Sequence, residues 1–373
     1  MTEFGPVDVP RILVVGAGLA GLALARALRQ AGFDPEVVDR VGAFADVGAG
    51  IYLPANAARA LRALGLEEAV AHRAATIGHQ RFRNHHGRLL GEVDLHGFWG
   101  RLGPCLALHR AELHAVLREG VAVQLGRGVQ ALERVEGPVE VGFDDGRRAA
   151  YDLVVGADGL HSTVRRLAVD PRPPDPVGQH SWRFVAACPA AVTAWSVLLG
   201  RGASFLAIPI GGGRVYCYAD VLAPSDGGGP AAGLRERFAD FADPVPELLD
   251  RLPGPDQVHV APIEQVPEER WGRGAVVLIG DAAHAMSPNM AQGAALAFED
   301  ALVLADSLRQ AGSLPEALAG FVARRTPRTS WVRAQTHRRD RTRNLPPALR
   351  DPLLRALGQR IYQSNYRPLL EPY

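Results

Sequence analysis

Three short stretches of this sequence carry residue types and spacings that can do chemistry. The first is Gly16-Ala17-Gly18-Leu19-Ala20-Gly21, between the apolar run Ile12 to Val15 and a run of helical composition from Leu22 to Ala31, closed by Gly32. Glycines so spaced give a tight turn, close backbone approach to a pyrophosphate and close helix-to-strand packing, with the helix N-terminus facing the anion. A second strand-like run, Glu36-Val-Val-Asp39, ends on an acid placed to accept hydrogen bonds from a ribose hydroxyl, with Arg40 beside it. This pattern predicts a dinucleotide and leaves NAD and FAD both open. The second stretch is Leu153-Val-Val-Gly-Ala-Asp158-Gly159 with Ser162-Thr-Val-Arg165. The third is Val277-Leu-Ile-Gly280-Asp281-Ala-Ala-His284 continuing into Pro288-Asn289-Met-Ala-Gln292-Gly293-Ala294. Gly211 to Gly213 and Gly227 to Gly229 lack the strand-to-helix setting of a second dinucleotide turn.

The elements that must position these residues can be read along the chain. Residues 11–39 form a βαβ unit of the expected length. A helix is expected at 54–64, strands and turns at 76–99, a helix at 110–118 and a strand at 121–125. Hairpin-like alternation runs to the turn Asp145-Gly146, and the strand at 151–155 leads into a helix through Arg166. From Pro171 to about Pro267 the texture becomes proline-punctuated, with strand-like runs at 182–188, 194–199, 203–210 and 214–222 and one helix near 231–242. A strand at 275–279 then precedes a long helix at 291–310. The segment 315–361 reads as helical, with Arg324, Arg325, Arg328, Arg333, Arg338, Arg339, Arg341 and Arg343 on a solvated or internally paired face.

Composition narrows the chemistry. The chain has 373 residues, 47% hydrophobic and 22% charged, which fits a soluble globular protein of two or more domains. Its 41 basic and 40 acidic residues give a net charge of +1, against a dedicated nucleic-acid binder. All 41 basic residues are arginine, so lysine Schiff bases, a P-loop lysine and pyridoxal phosphate attachment are excluded. Cys105, Cys188 and Cys217 are few and far apart, which fits a reducing cytoplasm and argues against a disulfide framework or a zinc site. Met1 to Pro10 lacks the pattern of a secretory peptide, and no apolar run is long enough to predict a membrane span.

Taken in order and strand context, the three stretches resemble the single-component flavin monooxygenases of the aromatic-hydroxylase type. The likeness extends to Gly48-Ala-Gly50-Ile51, Leu108-His-Arg110 and Asn365-Tyr-Arg-Pro-Leu-Leu370. It implies an α/β fold: a Rossmann-like FAD-binding domain (1–75, 100–170 and 268–373, the last with C-terminal helices) and an inserted, mostly antiparallel β-sheet substrate domain (76–99 and 171–267). The FAD site it implies comprises Gly16, Gly18, Leu19, Ala20, Gly21, Asp39, Arg40, Gly50, Ile51, Arg110, Val129, Asp158, Gly280, Asp281, Pro288, Gly293 and Ala294. Asp281 is expected on the ribityl hydroxyls, and Arg110 near the phosphate and ribityl region. The helix starting near Gln292 is expected to stabilise charge on the reduced flavin. Asp158 either serves FAD and NAD(P)H or caps the helix that follows it. His284 is either structural or a proton-transfer residue.

In this family NAD(P)H is a transient reductant and O2 a co-substrate, and a flavin C4a-hydroperoxide passes one oxygen atom to an electron-rich ring within a water-excluding pocket. The implied partner is a small aromatic or heteroaromatic substrate, and the oligomeric state, monomer or homodimer, stays open. Ile208 to Tyr216 resembles a strand pair of FAD-dependent urate hydroxylases, with Tyr216 toward the pocket. Ser204, however, stands where those enzymes carry a substrate-binding arginine, and Asn289 replaces an acid. Ser204 and Ile208 also differ from the histidine and tyrosine common in salicylate- and hydroxybenzoate-type relatives. Ser204, Ile208, Tyr216, Pro288 and Asn289 are the pocket candidates. Epoxidation, hydroxylation of a larger polycyclic substrate and a non-catalytic nucleotide-binding role are the alternatives. Flavin-dependent halogenation is disfavoured by the missing lysine.

Overall fold

The computed structural model describes residues 10–44, 49–222, 233–343 and 345–373. Gly48, the glycines at 227–229 and the segment before Pro10 lie outside them. Strand β1 (Ile12–Val15) is buried at every position and leads through the glycine turn into α1 (Leu19–Gln30) and then β2 (Glu36–Asp39). Gly16 has φ +105, and its N–H donates to the Val38 carbonyl at 2.8 Å. A Cβ on Gly21 would lie 1.8 Å from the Gly16 carbonyl oxygen, so this glycine is what lets α1 begin against the turn.

The chain continues through β3 (Gly50–Leu53), α2 (Ala55–Ala63), α3 (Glu67–Ala71), β4 (Ala75–Thr76), β5 (His79–Asn84), β6 (Leu89–Asp94), α4 (Leu95–Trp99), β7 (Leu106–His109) and α5 (Arg110–Arg118). Of the strand expected at 121–125 only β8 (Gln124–Leu125) forms, pairing with the end of β2. Strands β9 (Val129–Glu133), β10 (Val139–Phe143) and β11 (Arg148–Tyr151) make the expected meander. After β12 (Leu153–Gly156) the helix expected through Arg166 is a short turn that widens into a π-helical turn at Arg165–Val169.

A long β13 (Asp175–Ala187) starts seven residues before the predicted strand, because the prolines around 171–176 read as punctuation yet tolerate an extended chain. It is followed by β14 (Trp195–Leu199), β15 (Ala203–Gly211) and β16 (Arg214–Leu222). The single helix expected near 231–242 is instead α6 (Leu234–Arg237) and α7 (Val245–Asp250), separated around Pro244. Strand β17 (His259–Gln265) was not predicted. The chain ends through β18 (Gly272–Arg273), β19 (Val276–Leu278), α8 (Asp281–His284), α9 (Gly293–Gln310), α10 (Leu314–Arg343) and α11 (Pro347–Tyr366). The helical segment expected at 315–361 is therefore two helices.

Two large sheets result. The first runs β18-β19-β12-β1-β2-β8, parallel except for β18, and its apolar strands are covered on both faces. The second runs β17-β13-β16-β15-β14-β5-β6 and is antiparallel except for the β14–β5 pair. On its outer face, Phe184, Phe205 and Cys217 pack on Phe238, Phe241 and Leu248 from the α6–α7 region. Its inner face, including Ile208 and Ile210, turns toward α9, α10 and α11.

A buried charge cluster ties α9 to its surroundings. One Asp300 carboxylate oxygen accepts from the Gly280 N–H at 2.9 Å and pairs with His284 Nε2 at 2.7 Å; the other accepts from Arg325 Nε at 2.7 Å. Arg325 Nη1 also donates to Glu299 at 3.0 Å, and Glu299 accepts from Asn56 at 3.0 Å and Arg328 at 2.9 Å. The arginine-rich helix is thus partly internally paired, for Arg324 meets Asp306 and Arg333 donates to the Val266 carbonyl, while Arg338 and Arg341 are exposed.

Burial works to raise the Asp300 pKa, but the charges of His284 and Arg325 outweigh it and hold the carboxyl at about 2. Against about 3.9 for an unfolded aspartate, this depressed pKa contributes stability above pH ~4 that is lost as pH falls toward 2. In urea unfolding, Asp300→Asn is expected to be less stable at pH 7, and its gap from the native protein to narrow by about 2 kcal/mol between pH 4 and 2. Arg325→Met removes a charged partner from each of two buried carboxylates and should cost about 3–5 kcal/mol in the same assay. Gly21→Ala should cost about 1–3 kcal/mol by overpacking, read from chemical denaturation.

Candidate active site

The described residues enclose a cleft of about 780 Å³ between the ends of the parallel strands, the inner face of the seven-stranded sheet and helices α10 and α11. Around the glycine turn, Asp39 is held by the backbone: its Oδ2 accepts from the Ala17 N–H at 2.7 Å and its Oδ1 from the Val41 N–H at 3.1 Å. Gly18 leads into α1, and a Cβ placed on it would meet nothing within 4 Å. Exposed Arg40 lies against Gly128, and buried Val129 follows in β9. Leu19 is buried and Ala20 half-buried. A Cβ on Gly280 would come within 2.9 Å of Ala20 Cβ, so the first and third motifs are packed directly together. None of Gly16 to Gly21, Asp39, Arg40, Val129 or Asp158 lines the cleft itself.

Gly50, Ile51, Arg110, Asp281, Pro288, Gly293 and Ala294 do line it. Gly280, at φ +58, turns the chain from β19 into α8 and leaves the Asp281 side chain exposed toward the cleft. That carboxylate accepts no hydrogen bond from a described residue, while Gly293 begins α9 close by: a Cβ there would be 3.8 Å from Asp281 Oδ1. The first turn of α9 carries no acid, so its positive end remains available to an anion. Arg110 opens α5, with its N–H donating to the Ala49 carbonyl at 2.9 Å. Desolvation by the cleft walls lowers the Arg110 pKa, with Asp281 acting in the opposite direction.

The geometry bears on two alternatives left open by the sequence. Asp158 accepts from the Ser162 hydroxyl, from the Thr163 N–H at 2.7 Å and from the Val164 N–H at 3.2 Å, so both its oxygens cap the following turn. His284 is buried on Asp300, a structural pairing; burial lowers its pKa, but Asp300 raises it further. Leu160 and His161, just after Asp158, reach the cleft instead, and His161 lies 3.3 Å from Glu264.

On the sheet wall, Tyr216, Ile208 and Ser204 face the cleft. The Tyr216 side chain lies against the Gly50 backbone, where a Cβ would come within 2.3 Å of it. Burial raises the Tyr216 pKa, which keeps the phenol neutral and able to donate. Ser204 Oγ donates to buried Asp220 at 3.0 Å. Asn289 is tied to Asp340 and to Ser287. Sequence reasoning missed Arg183, Trp195, Val197, Leu206 and Tyr218, which line the same wall. The signal was present: Leu206 alternates with Ser204 and Ile208 on one strand, and Tyr218 with Tyr216 on the next.

The residues present fit FAD. The glycine turn with its fixed acid suits an adenosine pyrophosphate, the unpartnered Asp281 carboxylate suits a polyol, and the free end of α9 suits the flavin ring. Among the described residues no cluster of His, Cys, Asp or Glu could hold a metal ion, and no helix is long and apolar enough to cross a membrane.

Known proteins resemble this chain over most of its length. Residues 10–331 match the family model described as an FAD binding domain. The aurachin C monooxygenase/isomerase of Stigmatella aurantiaca is 36% identical over 336 residues, 88% of each chain. The 2-heptyl-3-hydroxy-4(1H)-quinolone synthase of Pseudomonas aeruginosa is 34% identical over 339 residues, 87% of each chain. Among solved structures, Klebsiella pneumoniae HpxO complexed with FAD and uric acid matches with a TM-score of 0.88 at 27% identity, covering 97% of each chain. The chain is thus an FAD-dependent monooxygenase and belongs to the FAD-binding aromatic monooxygenase family.

Proposed function

We propose that this enzyme hydroxylates a heteroaromatic ring held against Tyr216, Ile208 and Tyr218, with residues 76–99 and 171–267 forming the substrate side and the remainder the FAD side. The observation that carries the reading is one continuous cleft joining Gly50, Arg110, Asp281 and Gly293 to Tyr216, Ser204 and Ile208. When bound, FAD reduced by NAD(P)H and exposed to O2 supplies the activated oxygen. Asp281 would hold its polyol chain, Arg110 its phosphate side, and the N-terminus of α9 the negative charge that develops on its ring. The neutral Tyr216 hydroxyl would donate a hydrogen bond to the substrate, while the walls from α10 and α11 exclude water. The three cysteines are free thiols, in keeping with a cytoplasmic setting.

Ser204 bears on the choice of ring. Its hydroxyl is committed to Asp220 at the position where the urate hydroxylases carry an arginine, so a purine such as the uric acid bound by HpxO has lost one anchor. A neutral bicycle of the quinolone class, as in the name of the Pseudomonas relative, fits this wall better.

The test is a panel of hydroxyquinolines, hydroxypyridines, hydroxybenzoates and purines, each scored for stimulated NAD(P)H oxidation and for one atom of 18O from 18O2 in the product. A hydroxyquinoline should give the largest stimulation; if no ring compound couples NAD(P)H oxidation to oxygen insertion, the reading fails. Asp281→Ala should weaken FAD binding at least about tenfold, measured by fluorescence titration of the apoprotein, since it removes a charged acceptor. Tyr216→Phe should raise KM about five- to tenfold for loss of one hydrogen bond.

A further inference from the structure

The inner wall of the cleft is polar at one end and apolar at the other, and its strand register shows where the change falls. His259 pairs with Arg183, Arg183 with Tyr218, Tyr218 with Leu206, Leu206 with Val197 and Val197 with Phe82. All six side chains line the cleft. Arg183 lies over the Tyr218 ring, 5.6 Å from its centroid. Along this row hydrogen-bonding groups end at Tyr218 and three apolar positions follow, while Gln80 and Trp195, paired in the neighbouring row, also line the cleft. At about 4.8 Å per strand, the step from Tyr218 to Phe82 is roughly 14 Å, beyond what a bare ring beside Tyr216 would occupy.

Helix α11 supplies the opposite side of this apolar end through Leu353, Leu354 and Ile361. Arg350, on the same helix, is taken up by the protein: its Nη1 donates to the Gly200 carbonyl at 2.6 Å, its Nη2 to the Leu199 carbonyl at 3.2 Å and its Nε to Asp351 at 3.0 Å. It clamps α11 to the sheet and offers no charge to a ligand. Leu353 is both a wall of the cleft and 38% exposed, and Leu349 and Leu357, one turn to either side, are 64% and 38% exposed. The apolar end of the cleft thus opens onto an apolar stripe, an unusual surface for solvent alone to face.

We propose that the substrate carries a linear hydrocarbon chain on its ring, lying along Leu206, Val197 and Phe82 beneath Leu353 and Leu354 of α11. This rests on the aromatic-hydroxylase reading and names the form of its substrate. The ring and its polar substituents sit at Tyr216 and Tyr218, and the chain points away from the flavin site toward the opening at Leu353. Each methylene that leaves water in this channel tightens binding about fourfold.

The probes are 4-hydroxyquinoline and 4-hydroxyphenyl compounds bearing methyl, pentyl or heptyl groups, titrated into the FAD-loaded enzyme by calorimetry and assayed in parallel for NAD(P)H oxidation. On at least one ring, heptyl should bind at least about thirtyfold more tightly than methyl. Leu353→Glu, which sets a charge at the opening, and Leu206→Phe, which fills the channel, should each lower that heptyl-to-methyl ratio at least fivefold. FAD content and circular dichroism establish that each variant is folded. Rings that bind and turn over with no gain from the chain would overturn this proposal and leave the hydroxylase reading standing. An undiminished ratio in both variants would also overturn it, because the chain would then lie elsewhere. If no ring of any chain length binds, both readings fall together.

Discussion

The Asp300 carboxylate, sealed from water between a backbone N–H, a histidine and an arginine, is the interaction on which the placement of the site depends. Its hydrogen bond from Gly280 holds the turn that presents Asp281, its pairing with His284 fixes α8, and Arg325 binds it to α10. Glu299, its neighbour on α9, reaches Asn56 on α2, and Asn56 in turn donates to Gln292 at 2.9 Å, directly before Gly293. The two ends of the flavin site on this side are therefore set by one charged cluster. Such a cluster is costly to bury, and removing one member leaves its partners uncompensated, so it acts mainly as a device that permits a single geometry.

Close approach is the second constraint, and glycine meets it at three places. Gly21 admits the Gly16 carbonyl, Gly280 admits Ala20, and Gly50 admits the side chain of Tyr216. The first two press the nucleotide turn and the polyol turn into one body. The third lets the Tyr216 side chain of the seven-stranded sheet rest directly on the Gly50 backbone, so the separation of the two sides at this point is set by that contact.

Much of this was legible in the sequence because it depends on local rules. The glycine spacing, the apolar run of β1 and the acid ending β2 report a βαβ unit wherever they occur, and the strand, Gly-Asp and helix order of the third motif places Asp281. What was not legible depends on partners remote in the chain. For Asp158 the sequence left a cofactor role and a cap both open, and the bonds from Thr163 and Val164 that make it a cap appear only in the fold. Arg183 and Leu206 gained meaning only when the register set them in one row with Tyr218. Proline misled in both directions, hiding the start of β13 and obscuring the break between α6 and α7.

The parallel pairing of β14 with β5 has a consequence for how the molecule is made. Gln80 has to wait for Trp195 before its strand has a neighbour on that side, and the inner face of the sheet then waits for α10 and α11. Contacts of this separation are slow to form, and the apolar rows of the wall stay open to water while the chain is synthesised. The wall proposed to hold the ring is thus completed late, when Arg350 ties α11 to the Leu199 and Gly200 carbonyls.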